Sequence, residues 1–234
     1  MSSSFWIENA EDFLYFEHPS ERDVLHPLII DKVNKIAPKT YLDFGAGDGR
    51  MSERINSDIP IDIFDISTKM IERAKKLLSG RLKKVYSNID KIPSAYYELV
   101  VCSMVLLCID SEKEFKNALA SISNSLKKGG KAIFSTTHPC FRQAYFSDFF
   151  TEFSAGKQFD YFKEANPFEV TIHDQEKINN VTFEDYHWSL SFTINCIINE
   201  GLSIIEILET ADDKILPNHN NLVSPFLVII TEKK

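Results

Sequence analysis

Thr40-Tyr41-Leu42-Asp43-Phe44-Gly45-Ala46-Gly47-Asp48-Gly49-Arg50 is a short apolar run that breaks into three alternate glycines. The run reads as a strand and the glycines as a turn. Lacking a Cβ, they accept positive φ and let a ligand approach the backbone. Met51 to Ile55 continues as a helical stretch, whose start would offer unpaired N–H donors to an anionic group. Ile59 to Ile66 reads as a second strand and sets Asp65 at its C-terminal end, twenty residues after Gly45. A carboxylate there can accept both hydroxyls of a ribose, in the crevice where the strand order of an open sheet reverses. Strand, turn, helix, strand and acid together point to a cofactor containing a nucleoside. The plainer alternative is a tight turn with no ligand, Asp65 capping the next helix.

Outward from this unit the pattern repeats. Residues 1–37 form an N-terminal cap segment, with helical spacing at Leu28, Ile29, Val33 and Ile36 and a stop at Pro38. Ser67 to Ser79 places Met70, Ile71, Ala74, Leu77 and Leu78 on one helix face, and Gly80 ends it. Leu82 to Tyr86 and Glu98 to Leu106 read as strands three and four. Ser111 and Glu114 form a capping box, opening a helix whose face carries Phe115, Ala118, Leu119, Ile122 and Leu126 and which ends at Gly129-Gly130. Lys131 to Thr136 is a fifth strand. Such alternation predicts an α/β fold, doubly wound, with a parallel sheet covered on both faces.

Residues 138–186 break the rhythm with Phe141, Tyr145, Phe146, Phe149, Phe150, Phe153, Phe159, Tyr161 and Phe162, then a hairpin signal at Asn179-Asn180. The aromatics predict either a lid over the crevice or a satellite core or oligomer interface, and so allow a homodimer through this insertion. Tyr186 to Asn199 reads as a helix closed by Gly201. Leu202 to Leu208 and Pro225 to Thr231 read as strands that pair antiparallel, being joined only by a loop.

The turn also discriminates among cofactors. A dinucleotide fingerprint would need its third glycine at Arg50, and no Tyr-x-x-x-Lys pair occurs in the chain. Asp43, two residues before the first glycine, would repel a pyrophosphate and suits an ammonium group. Spacing therefore favours a cofactor with an amino-acid moiety over NAD.

Tyr41 to Gly49 resembles the first motif of the class I S-adenosylmethionine-dependent methyltransferases, small-molecule type. Ile63 to Lys75, Glu98 to Val105 and Leu126 to Ser135 are similar to the segments that follow it in that family, with Glu98 where Asp is commoner and Lys128 where Pro is usual. The resemblance covers about residues 38–137. It implies one methyltransferase domain over residues 1–234, a Rossmann-like, seven-stranded, mostly parallel sheet with an antiparallel last strand, and S-adenosylmethionine as cofactor. It places Gly45, Ala46, Gly47 and Gly49 around the methionine portion and Asp43 near its amino group. Asp65 would take the ribose, Ile66 and Met70 the adenine, and Asn88, with Asp90 as the second candidate, the adenine amine, with Ile89 beside them in the cofactor site. The backbone at Cys102 and Ser103 would face the methionine.

A sulfonium is already an activated methyl donor, so the protein has chiefly to align the acceptor, and a base is optional. His138, in a His-Pro step directly after the fifth strand, is one candidate acid-base group. His187 is the other, resembling a Tyr-His pair that begins the last helix in related enzymes. For each the plain alternative is a structural histidine. Met104, Phe141, Arg142 and Tyr145 are the substrate-contact candidates, with Tyr15 and Phe16 as a second wall.

Composition removes other classes. Lys plus Arg is 26 against 34 Asp plus Glu, a net charge of −8, which disfavours a nucleic-acid partner. The basic residues Arg73, Lys75, Lys76, Arg81, Lys83 and Lys84 read as a solvated surface. The fourth strand ends in Cys102-Ser103-Met104-Val105, without the Asn/Asp-Pro-Pro-aromatic motif of enzymes acting on base amines. Leu99 to Ile109, the longest apolar run, is about half of what a membrane helix needs. The start of the chain carries no secretory pattern, and Cys102, Cys108, Cys140 and Cys196 show no CxxC pairing, so no metal site is expected. The expectation is a cytoplasmic methyltransferase acting at oxygen or nitrogen of a small apolar or aromatic molecule. The rivals are a cofactor-binding regulatory protein without catalysis and a nicotinamide-dependent oxidoreductase.

Overall fold

The computed structural model describes residues 19–142, 146, 149–153, 159–173, 180–211 and 223–234. Its main sheet holds seven strands. These are β1 (Tyr41–Phe44), β2 (Ile61–Phe64), β3 (Leu82–Tyr86), β4 (Tyr97–Ser103), β5 (Leu126–Thr137), β9 (Leu202–Glu209) and β10 (Phe226–Lys233). They lie in the order β3-β2-β1-β4-β5-β10-β9. Pairing is parallel from β3 through to β5, and β10 runs antiparallel to both its neighbours. The expected sheet, with its antiparallel last strand, is the one observed.

Alternation along the strands decides which helices cover which face. Ile61, Ile63, Leu99 and Val101 point to the side of α1 (His26–Ile36), α2 (Arg50–Glu53) and α3 (Thr68–Leu77). Leu42, Phe44, Val100 and Cys102 point to the side of α4 (Glu112–Ser125) and α5 (Leu190–Asn199). Both faces are buried, so these strands read as continuous apolar runs. Helices α3 and α4 start where a side chain takes an orphan N–H. Ser67 accepts from the Met70 N–H at 3.4 Å, and Ser111 from that of Glu114 at 3.4 Å.

Two boundaries differ from expectation. The fourth helix stops at Ser125, and Leu126 is already extended and paired with Tyr97, because the chain bulges through Gly129 and Gly130 before regaining register. At Gly130 an added Cβ would stand 2.9 Å from the Tyr97 carbonyl, an approach only glycine permits. The last helix begins at Leu190 rather than Tyr186. Ser189 caps it through the Phe192 N–H at 3.2 Å, and His187 ends a strand instead of opening the helix.

The insertion is a small antiparallel sheet of β6 (Phe149–Glu152), β7 (Asn166–His173) and β8 (Asn180–His187), in that order. The hairpin signal at Asn180 corresponds to the start of β8, opposite His173. Its aromatic side chains pack mainly on one another: Phe146 stacks on Phe149 at 4.5 Å, and Phe153 on Phe159 at 4.7 Å. Phe162 meets Tyr161 edge-on at 5.3 Å and is nevertheless 81% exposed.

Candidate functional site

The strand order reverses between β1 and β4, since β1 is followed by β2 on one side and β4 lies on the other. Loops leaving the C-terminal ends of the strands therefore diverge there and open a crevice. A cavity of about 770 Å³ occupies it. Its floor is the glycine turn, the segment after β2 and the segment after β4. Its roof is the insertion sheet and part of the N-terminal segment, including Glu21 and His26.

The turn is stitched to β2. The Gly45 and Ala46 N–H groups donate to the Phe64 carbonyl at 2.7 and 3.0 Å. The Gly47 N–H donates to Asp65 Oδ2 at 2.8 Å, and the Ser67 N–H to Asp65 Oδ1 at 2.8 Å. One carboxylate thus fixes the two loops that frame the cavity floor, and burial pushes it above the usual carboxylate range. Asp43, 2% exposed at the end of β1, accepts from Ser52 Oγ at 2.6 Å. Burial, together with the nearby Asp65, raises Asp43 to about 7. A buried carboxyl so raised suits a ligand that carries a positive charge.

Gly45 and Gly47 have φ of +83° and +55°. At Gly47 no atom lies within 4 Å of where a Cβ would stand, so its backbone faces open space, whereas at Gly45 the Cβ would come 2.3 Å from Val105 Cγ2. Gly45→Ala is expected to cost about 2 kcal/mol or more, of which the left-handed backbone accounts for ~1–2. Urea unfolding checks this, and adding Val105→Ala should recover only the steric part. An unchanged midpoint for the single variant would refute the close approach.

Of the residues expected around a cofactor, Asp43, Gly45, Ala46, Gly47, Asp65, Ile66, Met70 and Ser103 line the cavity. Gly49, Asn88, Ile89 and Cys102 are not among its lining. A Cβ at Gly49 would sit 3.0 Å from Leu78, so this glycine serves the packing of the turn on α3. Asn88 accepts from the Asp90 N–H at 2.9 Å in a short turn. Cys102 points into the opposite face of the sheet.

The structure does not bring the two histidines to the cavity. His138 is 5% exposed, and its Nε2 bonds Glu209 Oε1 at 2.8 Å while Nδ1 accepts from the Cys140 N–H at 3.3 Å. His187 is fully buried, with Nε2 on the Tyr161 carbonyl at 2.9 Å and Nδ1 accepting from Arg142 Nε at 3.4 Å. Burial and the Arg142 charge drop it to about 4, so it is held neutral in a structural role. Among the described substrate candidates only Met104 lines the cavity, with φ of +56°. Arg142 is buried beneath the insertion, bonded to Thr137 and lying 4.2 Å over the Phe168 ring. Phe141 lies tilted against His138, ring centroids 4.6 Å apart. Tyr15, Phe16 and Tyr145 lie outside the described residues.

Sequence reasoning named Phe149 among the lid aromatics but missed Val170, Ile172, Phe183 and Asp185, which with it form the insertion's side of the cavity. The signal was the alternation of β8, where Phe183, Asp185 and His187 are buried between exposed or half-buried neighbours. Among the described residues no cluster of His, Cys, Asp and Glu could hold a metal ion, and no helix is long and apolar enough to cross a membrane.

Residues 42–130 match the family model described as a methyltransferase domain. No curated protein matches the chain. Among solved structures, a Listeria monocytogenes protein described as an S-adenosylmethionine-dependent methyltransferase is 22% identical, with a TM-score of 0.62 over 89% of this chain and 98% of that one. An S-adenosylmethionine-dependent methyltransferase from Mesorhizobium loti is 20% identical, with a TM-score of 0.62 over 88% and 96%. The N-methyltransferase NodS of Bradyrhizobium japonicum, in complex with S-adenosylhomocysteine, is 13% identical, with a TM-score of 0.57 over 93% and 89%. These likenesses establish the fold, and the family-model match covers residues 42–130 alone.

Proposed function

We propose that this chain is an S-adenosylmethionine-dependent methyltransferase that methylates a small molecule held between the glycine turn and the insertion sheet, a reading supported by the methyltransferase-domain match over residues 42–130. When bound, the cofactor supplies a methyl group already activated by its sulfonium. Asp43 would face the cofactor's ammonium and Asp65 its ribose, with Ile66 and Met70 against the adenine and the open backbone of Gly47 beside the methionine portion. These residues fit such a cofactor: two buried carboxyls suit a cationic, hydroxyl-bearing ligand, and a bare glycine backbone admits it closely.

The observation that carries the small-molecule reading is the cavity itself. At about 770 Å³ it falls within the usual range for small ligands, roughly 300–1,000 Å³. Its far wall is apolar, built by Phe149, Val170, Ile172, Phe183 and Phe226. Such a wall would orient an apolar body and exclude water, leaving alignment as the protein's main contribution. The insertion is accordingly read as a lid of a single domain, because its rings stack inward, and a second copy is not required to complete the site. With both histidines spoken for by structural bonds, neither is assigned a proton transfer. A nitrogen or oxygen acceptor and a cytoplasmic setting belong to the same proposal.

The test is transfer of label from methyl-labelled S-adenosylmethionine into a fractionated metabolite extract. Label is expected in a low-mass, moderately apolar fraction. Label confined to protein or nucleic acid, or no enzyme-dependent label at all, would overturn the reading.

A further inference from the structure

The apolar wall of the cavity contains one ionisable group that the cofactor does not require. Asp185 lies on β8 and lines the cavity beside Phe183 and Ile172. It is 2% exposed, and its Oδ1 has no hydrogen-bond partner among the described residues. The thiol of Cys108, in the turn after β4, donates to the Met104 carbonyl at 3.4 Å and lies beside the same carboxyl. Asp185 therefore stands where the insertion sheet meets the segment after β4, at the junction of the two halves of the cavity. A buried acceptor left unmatched costs about 1–3 kcal/mol, more if it is charged, and a donor that enters the cavity can recover that energy.

The chemistry of that donor follows from the surroundings. Arg142 is near enough to favour ionisation of Asp185, while Glu21 and Glu184 oppose it; burial outweighs all of these and raises the carboxyl to about 8. An anionic ligand would meet a further negative charge, and an alcohol could form only a neutral hydrogen bond. An ammonium group would restore the ionised carboxylate and gain a charge-assisted bond, about twice as strong.

We infer that Asp185 anchors the nitrogen of an amine substrate whose apolar body lies along Phe149, Val170, Ile172 and Phe183. This rests on the methyltransferase reading, because it assigns the acceptor end of that cavity. The Asp185 carboxyl would accept the amine's N–H and hold the proton that the nitrogen gives up.

The test uses the full chain saturated with S-adenosylhomocysteine near neutral pH, titrated by calorimetry with phenethylamine, phenethyl alcohol and phenylpropionate. These probes share one body and differ in the group offered to Asp185. The amine is expected to bind about tenfold or more tighter than the alcohol, with the acid weakest. Asp185→Asn, whose amide keeps the shape, should cost about tenfold or more for the amine, with alcohol and S-adenosylhomocysteine affinities unchanged. An alcohol or acid bound as tightly as the amine, or no amine binding, overturns the inference, as does an amine preference that survives Asp185→Asn. If that variant fails to fold by circular dichroism, the ranking of the three probes on the unaltered protein decides alone. Failure to bind S-adenosylhomocysteine at all would instead sink the methyltransferase reading.

Discussion

Asp65→Ala is expected to weaken S-adenosylhomocysteine about a hundredfold or more. Each hydrogen bond from a ribose hydroxyl to a buried carboxylate is worth roughly 1.5–3 kcal/mol, and every 1.4 kcal/mol is about tenfold in affinity. Asp65 also holds the Gly47 and Ser67 N–H groups, each at 2.8 Å, so alanine loosens the floor as well as removing the acceptor. The two contributions can be separated. An S-adenosylhomocysteine analogue lacking both ribose hydroxyls should bind the variant and the unaltered protein with similar affinity if sugar recognition dominates. A large difference with the analogue would assign the loss to the loops. Affinity for the natural thioether within about threefold of normal, measured by calorimetry, would mean that Asp65 does not meet the sugar.

That this residue could be singled out from sequence has a physical cause. The glycine turn and Asp65 belong to adjacent parallel strands joined by one short helix, so local spacing fixes their relation in space. The same holds for Ile66 and Met70, which follow on the next helix. Gly49 shows where spacing stops informing: it shares the motif with Gly45 and Gly47, yet its neighbour is Leu78, which the sequence places 29 residues on. His138 is a stronger case. Its Nε2 partner, Glu209, lies 71 residues away, and nothing in the His-Pro step announces that pairing. The insertion was illegible for another reason. Its apolar residues serve a three-stranded sheet that is covered on one side by the cavity, so aromatic density stood out and strand register did not. Asp185 fell just before a helix assumed to begin at Tyr186. Carrying the two-residue alternation of Phe183 onward to His187 would have turned it inward.

Affinity for S-adenosylhomocysteine should rise with pH and level off above about 7, because of Asp43. In the unliganded protein, burial and the neighbouring Asp65 raise this carboxyl from 3.8 to about 7, with the Ser52 hydroxyl opposing the shift. Below that value the site is mostly neutral, and an incoming ammonium must displace a proton before it meets a full negative charge. Binding at acidic pH therefore releases a proton, and affinity changes by up to about tenfold per pH unit, the limit for one linked proton. Calorimetry in buffers of different ionisation enthalpy would show both effects. Asp43→Asn should bind weakly and lose the slope. The stability of the unliganded protein moves the opposite way. The folded-state value lies above the unfolded one, so the contribution of Asp43 is complete below about 3.8 and is lost as pH rises through about 7. Saturating ligand should flatten that decline, since it stabilises the ionised form in the folded state alone. A flat affinity profile for the unaltered protein between mildly acidic and mildly basic pH would show that Asp43 does not face the ammonium, and would leave the raised carboxyl as a consequence of burial only.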